Sequence, residues 1–256
     1  MFGIVTIDYE FMKKLFLLLV LISTSIFAQE EFYVGLHYFT IKKEFTKEFI
    51  AQEKKYFSKQ HKASIEEGKK IGWDMWRVLE PLLDNKHVTF CFAHLQPIDG
   101  PVATMGASNY SKEEMQKVWD ERKKMVVKTK WIQTVFKGGF VPADLTKPSQ
   151  FLVLNFIEVK PLKNYEFEKI ALSNLEARKN SKYLKSWGLH KILSPSVGDD
   201  YPDYIAANFF DSQMDFYKRR IATNQPSEQY IKRTNSLNDI RQFSRFEAME
   251  LVMFER

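Results

Sequence analysis

Two segments with the apolar pattern of β-strands lie about half a chain apart. Residues 33–42 read YVGLHYFTIK and residues 151–160 read FLVLNFIEVK, and both are rich in β-branched and aromatic side chains. Each is followed by a longer segment whose apolar residues recur at helical spacing. The pattern therefore predicts the same strand–helix sequence twice.

The similarity continues through the rest of each half. GWDMWRVLEP at 72–81 aligns with SWGLHKILSP at 186–195, and a third strand pattern follows in both halves, at 87–96 and 203–212. Ser111 begins a capping-box sequence, which predicts a helix with apolar positions as far as Ile132. A final strand is predicted at 248–255.

This order predicts an α+β fold made of two tandem ferredoxin-like (βαββαβ) repeats. The first repeat covers residues 30–140, a linker covers 141–150, and the second repeat covers 151–256. A ferredoxin-like unit has helices on one face of its sheet only, so two units can bury their open faces against each other. We expect one intramolecular α/β barrel with a lumen between the sheets. A monomer is expected, with pairing through the outer helices as the alternative.

The amino terminus has the layout of a secretory signal peptide. Two lysines, Lys13 and Lys14, precede an apolar run, and Ala28 is suited to a cleavage site. The run is shorter than the roughly 20 apolar residues of a membrane-spanning helix. We predict a signal peptide at 1–28, with translation starting at Met1 or Met12, and a periplasmic or secreted protein. An uncleaved membrane anchor is the alternative.

Composition and charge exclude several function classes. Hydrophobic residues make up 45% of the 256 positions and charged residues 27%, as in folded globular proteins. The single cysteine, Cys91, excludes a disulfide framework. The formal net charge is +6, but the lysines are dispersed among glutamates as on solvated helix faces. We therefore predict no nucleic-acid partner.

Polar residues at matched positions of the two first strands are candidate site residues. Side chains alternate along a strand, so His37 and Phe39 share one face, and Asn155 occupies the equivalent face in the second half. We expect this face to line the lumen and the face with Val34 and Leu36 to pack beneath the helices. Because a buried polar group needs a partner, His37 and Asn155 are candidate catalytic residues.

His190 is the third candidate catalytic residue. Its reference pKa of about 6.5 suits a general acid or base, and a strand-end histidine bonded to backbone is the alternative. The candidate ligand-binding residues are Phe39, Trp76, Asn208 and Phe210. His61 lies in a lysine-rich helix, where we expect it to be solvated, and no metal site is predicted.

Two segments of the second half carry a resemblance to a known family. NFIEVKP on the first strand and NFFDSQMDFYKR at 208–219 resemble the dimeric α/β-barrel superfamily, in particular the antibiotic-biosynthesis monooxygenase group. This resemblance implies either cofactorless oxygenation or haem degradation. Asn155 matches the strand asparagine of the haem-degrading members, whereas Phe210 stands where they have tryptophan and Arg220 where they have histidine. The two mismatches disfavour haem, and we predict no cofactor.

The sequence thus predicts an exported barrel that binds a small apolar or planar organic molecule in its lumen. As an enzyme it would be a cofactor-independent monooxygenase. The alternative is a non-catalytic ligand-binding or structural, stress-related barrel. A lumen filled by aromatic side chains would leave an interaction surface as the function.

Overall fold

The computed structural model describes the chain from residue 32 onward with short gaps. The described residues are 32–79, 85–99, 110–141, 144, 146–194, 202–222 and 227–256. The predicted signal peptide at 1–28 and both candidate start residues lie outside these ranges. Within them, no helix has the length and apolar character needed to cross a membrane.

Eight strands and several short helices make up the described part of the chain. The strands are β1 (Phe32–Lys42), β2 (Gly72–Val78), β3 (His87–Pro97), β4 (Val126–Phe140), β5 (Phe151–Val159), β6 (Ser186–Ser194), β7 (Tyr204–Phe210) and β8 (Arg241–Glu255). The helices are α1 (Thr46–Gln52), α2 (Ser58–Glu66), α3 (Lys112–Met125), α4 (Asn164–Leu172), α5 (Leu175–Lys179), α6 (Gln213–Ala222) and α7 (Glu228–Asn238). A π-helical turn, Glu53–Phe57, joins α1 to α2.

The strands form a closed barrel in the order β1-β3-β2-β8-β5-β7-β6-β4. Every neighbouring pair is antiparallel. Each half contributes four consecutive strands with the same internal order, and the halves join where β2 pairs with β8 and β4 with β6. The predicted α+β class with a barrel is confirmed. Closure leaves no unpaired strand edge in the barrel wall.

Side-chain caps fix where two of the helices begin. Ser111 Oγ accepts the Glu114 backbone N–H at 3.1 Å, as the capping-box sequence predicts, and Ser227 Oγ accepts the Tyr230 N–H at 3.2 Å. The predicted extension of α3 to Ile132 is wrong, because the helix ends at Met125 and a strand begins at the next residue. Alternating burial from Ile132 onward identifies this segment as β4, which also occupies residues expected to lie near the linker.

Buried side chains show which face of each strand points inward. One apolar cluster draws on strands of both halves and includes no helical residue, so it fills the lumen. Two further clusters combine strand residues with helical ones, namely Phe49 and Met125 in the first half and Phe167 and Ala171 in the second. These clusters form the sheet–helix layers outside the barrel wall.

The predicted assignment of the two faces is wrong. Val34 and Leu36 belong to the lumen cluster, whereas Ile41 and Phe39 pack in the first-half sheet–helix layer. His37 lies between Leu36 and Tyr38 of the lumen face and therefore points toward the helices. Both faces of these strands are apolar because both are covered, so alternation alone does not tell them apart.

Candidate functional site

The structure separates the predicted site residues into three regions. Trp76 and His190 face the lumen, in the same direction as Leu251 and Ile192. His37 and Phe39 lie in the sheet–helix layer of the first half, and the matched positions of the second half lie in its own sheet–helix layer. These second-half residues are Asn155, Asn208 and Phe210. Five of the seven predicted residues therefore do not face the lumen, contrary to expectation.

The lumen is packed with side chains. Trp76, Leu154, Phe156 and Met249 are buried there, and the Trp76 ring centroid lies 6.1 Å from that of Phe209. One polar pair lies in the lumen, where Tyr38 donates its hydroxyl to Glu247 Oε2 at 2.7 Å. Burial raises the pKa of the Tyr38 phenol, so it stays protonated. The lumen thus resembles a protein core more than a binding cavity.

His190 is held among aromatic rings at one end of this core. Its ring lies 5.4 Å from the ring of Phe136 and 6.4 Å from that of Phe32. Burial lowers the pKa of His190 to about 4, and its Nδ1 is buried without a hydrogen-bond partner among the described residues. Its catalytic role stays a prediction.

His37 lies at a partly exposed site between the first-half sheet and its helices. Its ring is 4.2 Å from that of Phe39 and 5.1 Å from that of Trp131, and Trp131 is 37% exposed. The Trp131 indole lies across Gly35, where an added Cβ would approach Trp131 Cζ2 to 2.5 Å. Glycine at this position lets the indole reach the sheet. For brevity, the partly exposed region around His37 and Trp131 is named the first-half cleft.

Two more histidines and a lysine border this cleft. Lys70 Nζ lies 2.8 Å from His61 Nδ1 and 3.2 Å from His94 Nδ1, and His94 contacts Trp131 at 5.6 Å between ring centroids. His61 stacks on Trp73 at 4.8 Å. His61 is 4% exposed and Lys70 5%, so the expectation that His61 is solvated is wrong.

Burial and charge keep these imidazoles neutral. The pKa of His37 is lowered to about 4 by burial and then by the Arg122 charge, and that of His61 to about 3 by burial and then by Lys70. The pKa of His94 is also well below its usual value, mainly through burial. Burial lowers the pKa of Lys70 to about 8, so near neutrality Lys70 is a cation and donates to both Nδ1 atoms. The proton of each of these two rings is therefore on Nε2.

A buried ion pair closes the helix side of the cleft. Arg122 on α3 and Glu53 in the π-helical turn approach to 2.5 Å, and both are almost fully buried. The Arg122 guanidinium also lies 4.6 Å from the centre of the Phe39 ring and 4.3 Å from that of Phe49. Burial raises the pKa of Glu53, and the Arg122 charge opposes that rise. The π turn supplies the carboxylate at this point, as such turns often do at functional sites.

The equivalent layer of the second half holds the two predicted asparagines. Asn208 donates to the Val153 carbonyl at 3.3 Å and to the Ala206 carbonyl at 3.1 Å, and it accepts from Arg219 Nη1 at 3.3 Å. Asn155 is half-buried opposite Ala206 on the neighbouring strand. Asn208 is thus a fully engaged amide, and a catalytic role of Asn155 stays a prediction.

Metal binding finds no support among the described residues. They contain no group of three or more histidine, cysteine, aspartate or glutamate side chains placed to hold a metal ion. His61 and His94 do converge, but the Lys70 ammonium lies between their Nδ1 atoms. A cation built into the chain therefore occupies the position between these two rings.

Sequence reasoning missed His61, Lys70, His94 and Trp131. Phe57, His61 and Ser64 follow helical spacing and are all buried, so this spacing was a usable signal for His61. The lysines and glutamates around His61 instead suggest a solvated helix, and this made the buried spacing hard to recognise. Lys70 follows the end of α2 and is close to β2 along the chain, and nothing in the local pattern marks it as buried.

Comparisons with known proteins agree on the fold. No protein-family model matches the sequence, and no curated protein matches it significantly. A protein assigned as a monooxygenase from Lactobacillus acidophilus NCFM superposes with a TM-score of 0.58 at 11% identity, over 88% of this chain and 96% of that one. A protein with the same assignment from Fusobacterium nucleatum subsp. nucleatum gives 0.57 at 10% identity, over 88% and 94%.

An anthrone oxidase-like protein gives a TM-score of 0.53 at 13% identity, over 88% of this chain and 93% of that one. These identities are too low to transfer an activity, but the coverage extends along nearly all of each chain. The expected resemblance is confirmed at the level of architecture. The chain shares its overall fold with these three proteins.

Proposed function

We propose that the protein binds a small planar organic molecule in the first-half cleft and oxidises it with dioxygen without a cofactor. One observation carries this proposal. Neutral imidazoles and a partly exposed tryptophan meet in the first-half cleft, whereas the lumen is packed. The site proposed here is therefore the cleft and not the lumen that the sequence suggested.

The chemistry requires a base and a nearby positive charge. A neutral imidazole such as His37 accepts a proton from an acidic C–H or O–H group of the substrate. The Lys70 cation favours the substrate anion that forms, because opposite charges attract strongly in a partly buried site. The anion then gives electrons to dioxygen. For anthrone, one molecule and one dioxygen yield one anthraquinone and one water, which balances without another reductant.

The fold comparisons support this class of substrate. Two of the superposed proteins are assigned as monooxygenases and one is anthrone oxidase-like. We extend that chemistry to this chain as a proposal. The tandem-repeat origin of the two halves, export and the monomeric state belong to the same proposal, and the identical strand order of the halves supports the first of these.

Oxygen uptake with anthrone tests the proposal. We expect the wild-type protein to consume dioxygen and form anthraquinone, and His37→Gln to lose at least tenfold in rate because the base is removed. His87→Gln on β3 is the matched control and should retain the wild-type rate. No uptake by the wild type, or an equal rate in His37→Gln, would contradict the proposed chemistry.

A non-catalytic binding barrel is the second candidate. Lys70 engages His61 and His94, and Glu53 engages Arg122, so several polar groups of the cleft already have partners. Such a site can hold a ligand without reacting. Ligand binding by the wild type without oxygen uptake would favour this candidate.

A further inference from the structure

Four arginines converge on the helix side of the second-half sheet. Arg178 lies on α5, Arg219 on α6, Arg233 on α7 and Arg241 at the start of β8. All four are half-buried. We call them the arginine cluster.

Two of these arginines contact strand residues of the second-half sheet, which we call the floor of the arginine cluster. The Arg178 guanidinium lies 4.2 Å from the centre of the Trp187 ring, and its Nε is buried without a hydrogen-bond partner. Arg219 Nη1 donates to Asn208 Oδ1 at 3.3 Å. Asn208 pairs with Trp187 across neighbouring strands, so Arg178 and Arg219 stand over adjacent floor positions.

The other two arginines contact α4 and β8. Arg233 Nε donates to the Ile170 carbonyl at 3.4 Å. Arg241 lies 4.3 Å from the centre of the Phe243 ring, and its Nε is buried without a partner. Most of the guanidinium donors of the cluster are therefore not used by these contacts.

The positive charges have no carboxylate to balance them in the described part of the chain. No ion pair within 4.0 Å joins any of the four to an aspartate or glutamate there. The pKa of Arg178 is lowered to about 9, first by burial and then by the charges of Arg233, Arg219 and Arg241. The guanidiniums are thus close enough to repel one another, which destabilises the unliganded state.

The first half also has a buried arginine on the helix side of its sheet, but that arginine has a carboxylate partner. There Arg122, in the corresponding sheet–helix layer, is neutralised by Glu53. Within the described residues of the second half, the four cations have no such partner, and an anion from outside would satisfy them. Arginine pairs bind carboxylate and phosphate oxygens in bidentate geometry.

We infer that the arginine cluster is a binding site for the carboxylate or phosphate group of a small-molecule ligand. Tyr230, at the start of α7, lies close enough to all four guanidiniums to interact with them electrostatically, and its side chain carries a hydroxyl donor. The inference goes beyond the proposed oxidation and does not depend on it, because the two sites lie in different halves.

Calorimetric titration of the full chain with sodium pyrophosphate, and separately with citrate, tests the inference. We expect binding that weakens at least tenfold in Arg233→Gln and in Arg178→Gln. Lys218→Gln removes the same charge from an exposed position on α6 and should change the affinity less than twofold. The tighter of the two probes identifies phosphate or carboxylate as the preferred group.

Thermal unfolding without ligand provides a second readout. Because Arg178→Gln relieves repulsion, its unfolding midpoint should be equal to or higher than that of the wild type. Absence of binding to both probes would overturn the inference. Equal weakening in Lys218→Gln and Arg233→Gln would also overturn it, since binding would then follow net charge alone.

Discussion

At the scale of single residues, Lys70 controls the electrostatics of the first-half cleft. Its buried ammonium has imidazole nitrogens as partners, so it holds the tautomers of His61 and His94 and opposes their protonation. In the group formed by Lys70, His61 and His94, the positive charge therefore lies on the lysine, and both histidines are neutral. Neutral imidazoles are the form that can accept a substrate proton.

Replacing this lysine should change the titration of its neighbours. In Lys70→Met we expect the pKa of His61 to rise above its value of about 3 while staying below that of a free histidine, because burial is the larger cause of its depression. NMR titration of the histidine ring protons measures this. Lys69→Met at the partly exposed neighbouring position should leave the His61 titration unchanged. An unchanged pKa in Lys70→Met would contradict the assigned contact.

The buried histidines also make stability depend on pH. The folded-state pKa of His190 is about 4, below that of an unfolded histidine, so between these values the unfolded chain binds more protons. Its stabilising contribution is therefore present above about pH 6.5 and is lost as pH falls toward 4.

Urea unfolding near neutrality and at about pH 5 checks this, since 1.5 pKa units amount to about 2 kcal/mol. We expect the loss of stability on acidification to be smaller by about that amount in His190→Leu than in the wild type. His87→Gln should keep the wild-type loss. The same loss in all three proteins would show that His190 charges as easily in the folded state as in the unfolded one.

At the scale of elements, the sequence predicts the positions of strands and helix caps better than it predicts which face of a strand points into the lumen. The patterns around Leu36 and Leu154 locate β1 and β5 because β-branched and aromatic runs favour strands. They do not say which face meets the lumen, because the helices cover one face and the opposite sheet covers the other. That distinction depends on tertiary packing. The sequence places His37 and Asn155 on the lumen face, whereas in the structure both lie on the helix side of the barrel wall, and their catalytic role stays a prediction.

The cap of α3 is an element-scale feature that mutation can test. Ser111→Ala removes the acceptor for the Glu114 N–H and should lower the free energy of unfolding by about 1 kcal/mol. Ser236→Ala, at a partly exposed position inside α7, is the control and should change it by less than about 0.5 kcal/mol. Urea unfolding compares the two. Equal effects would mean that the Ser111 cap does not stabilise α3.

At the scale of the whole molecule, the lumen core ties the two halves into one cooperative unit. Its side chains come from strands of both halves, and the pairs β2–β8 and β4–β6 close the barrel between them. Neither half can retain its inward face when the other unfolds. The molecule should therefore unfold in a single transition.

A lumen variant tests this cooperativity. Leu154→Ala leaves a cavity in the shared core and should cost about 2–5 kcal/mol. Trp187 is the one tryptophan of the second half in the sequence, so in Trp187→Phe the fluorescence follows the first half alone, and its midpoint should equal that of far-UV circular dichroism, which follows the whole molecule. Leu193→Ala at an exposed position is the control. Two separate midpoints would contradict the single core.

The location of the ligand site is the central claim, and tryptophan fluorescence during titration with anthrone tests it most directly. Trp131 borders the first-half cleft, and Trp76 lies in the packed lumen. We predict saturable quenching that disappears in Trp131→Phe and persists in Trp76→Phe. Quenching that persists in Trp131→Phe and disappears in Trp76→Phe would place the ligand in the lumen and contradict the account.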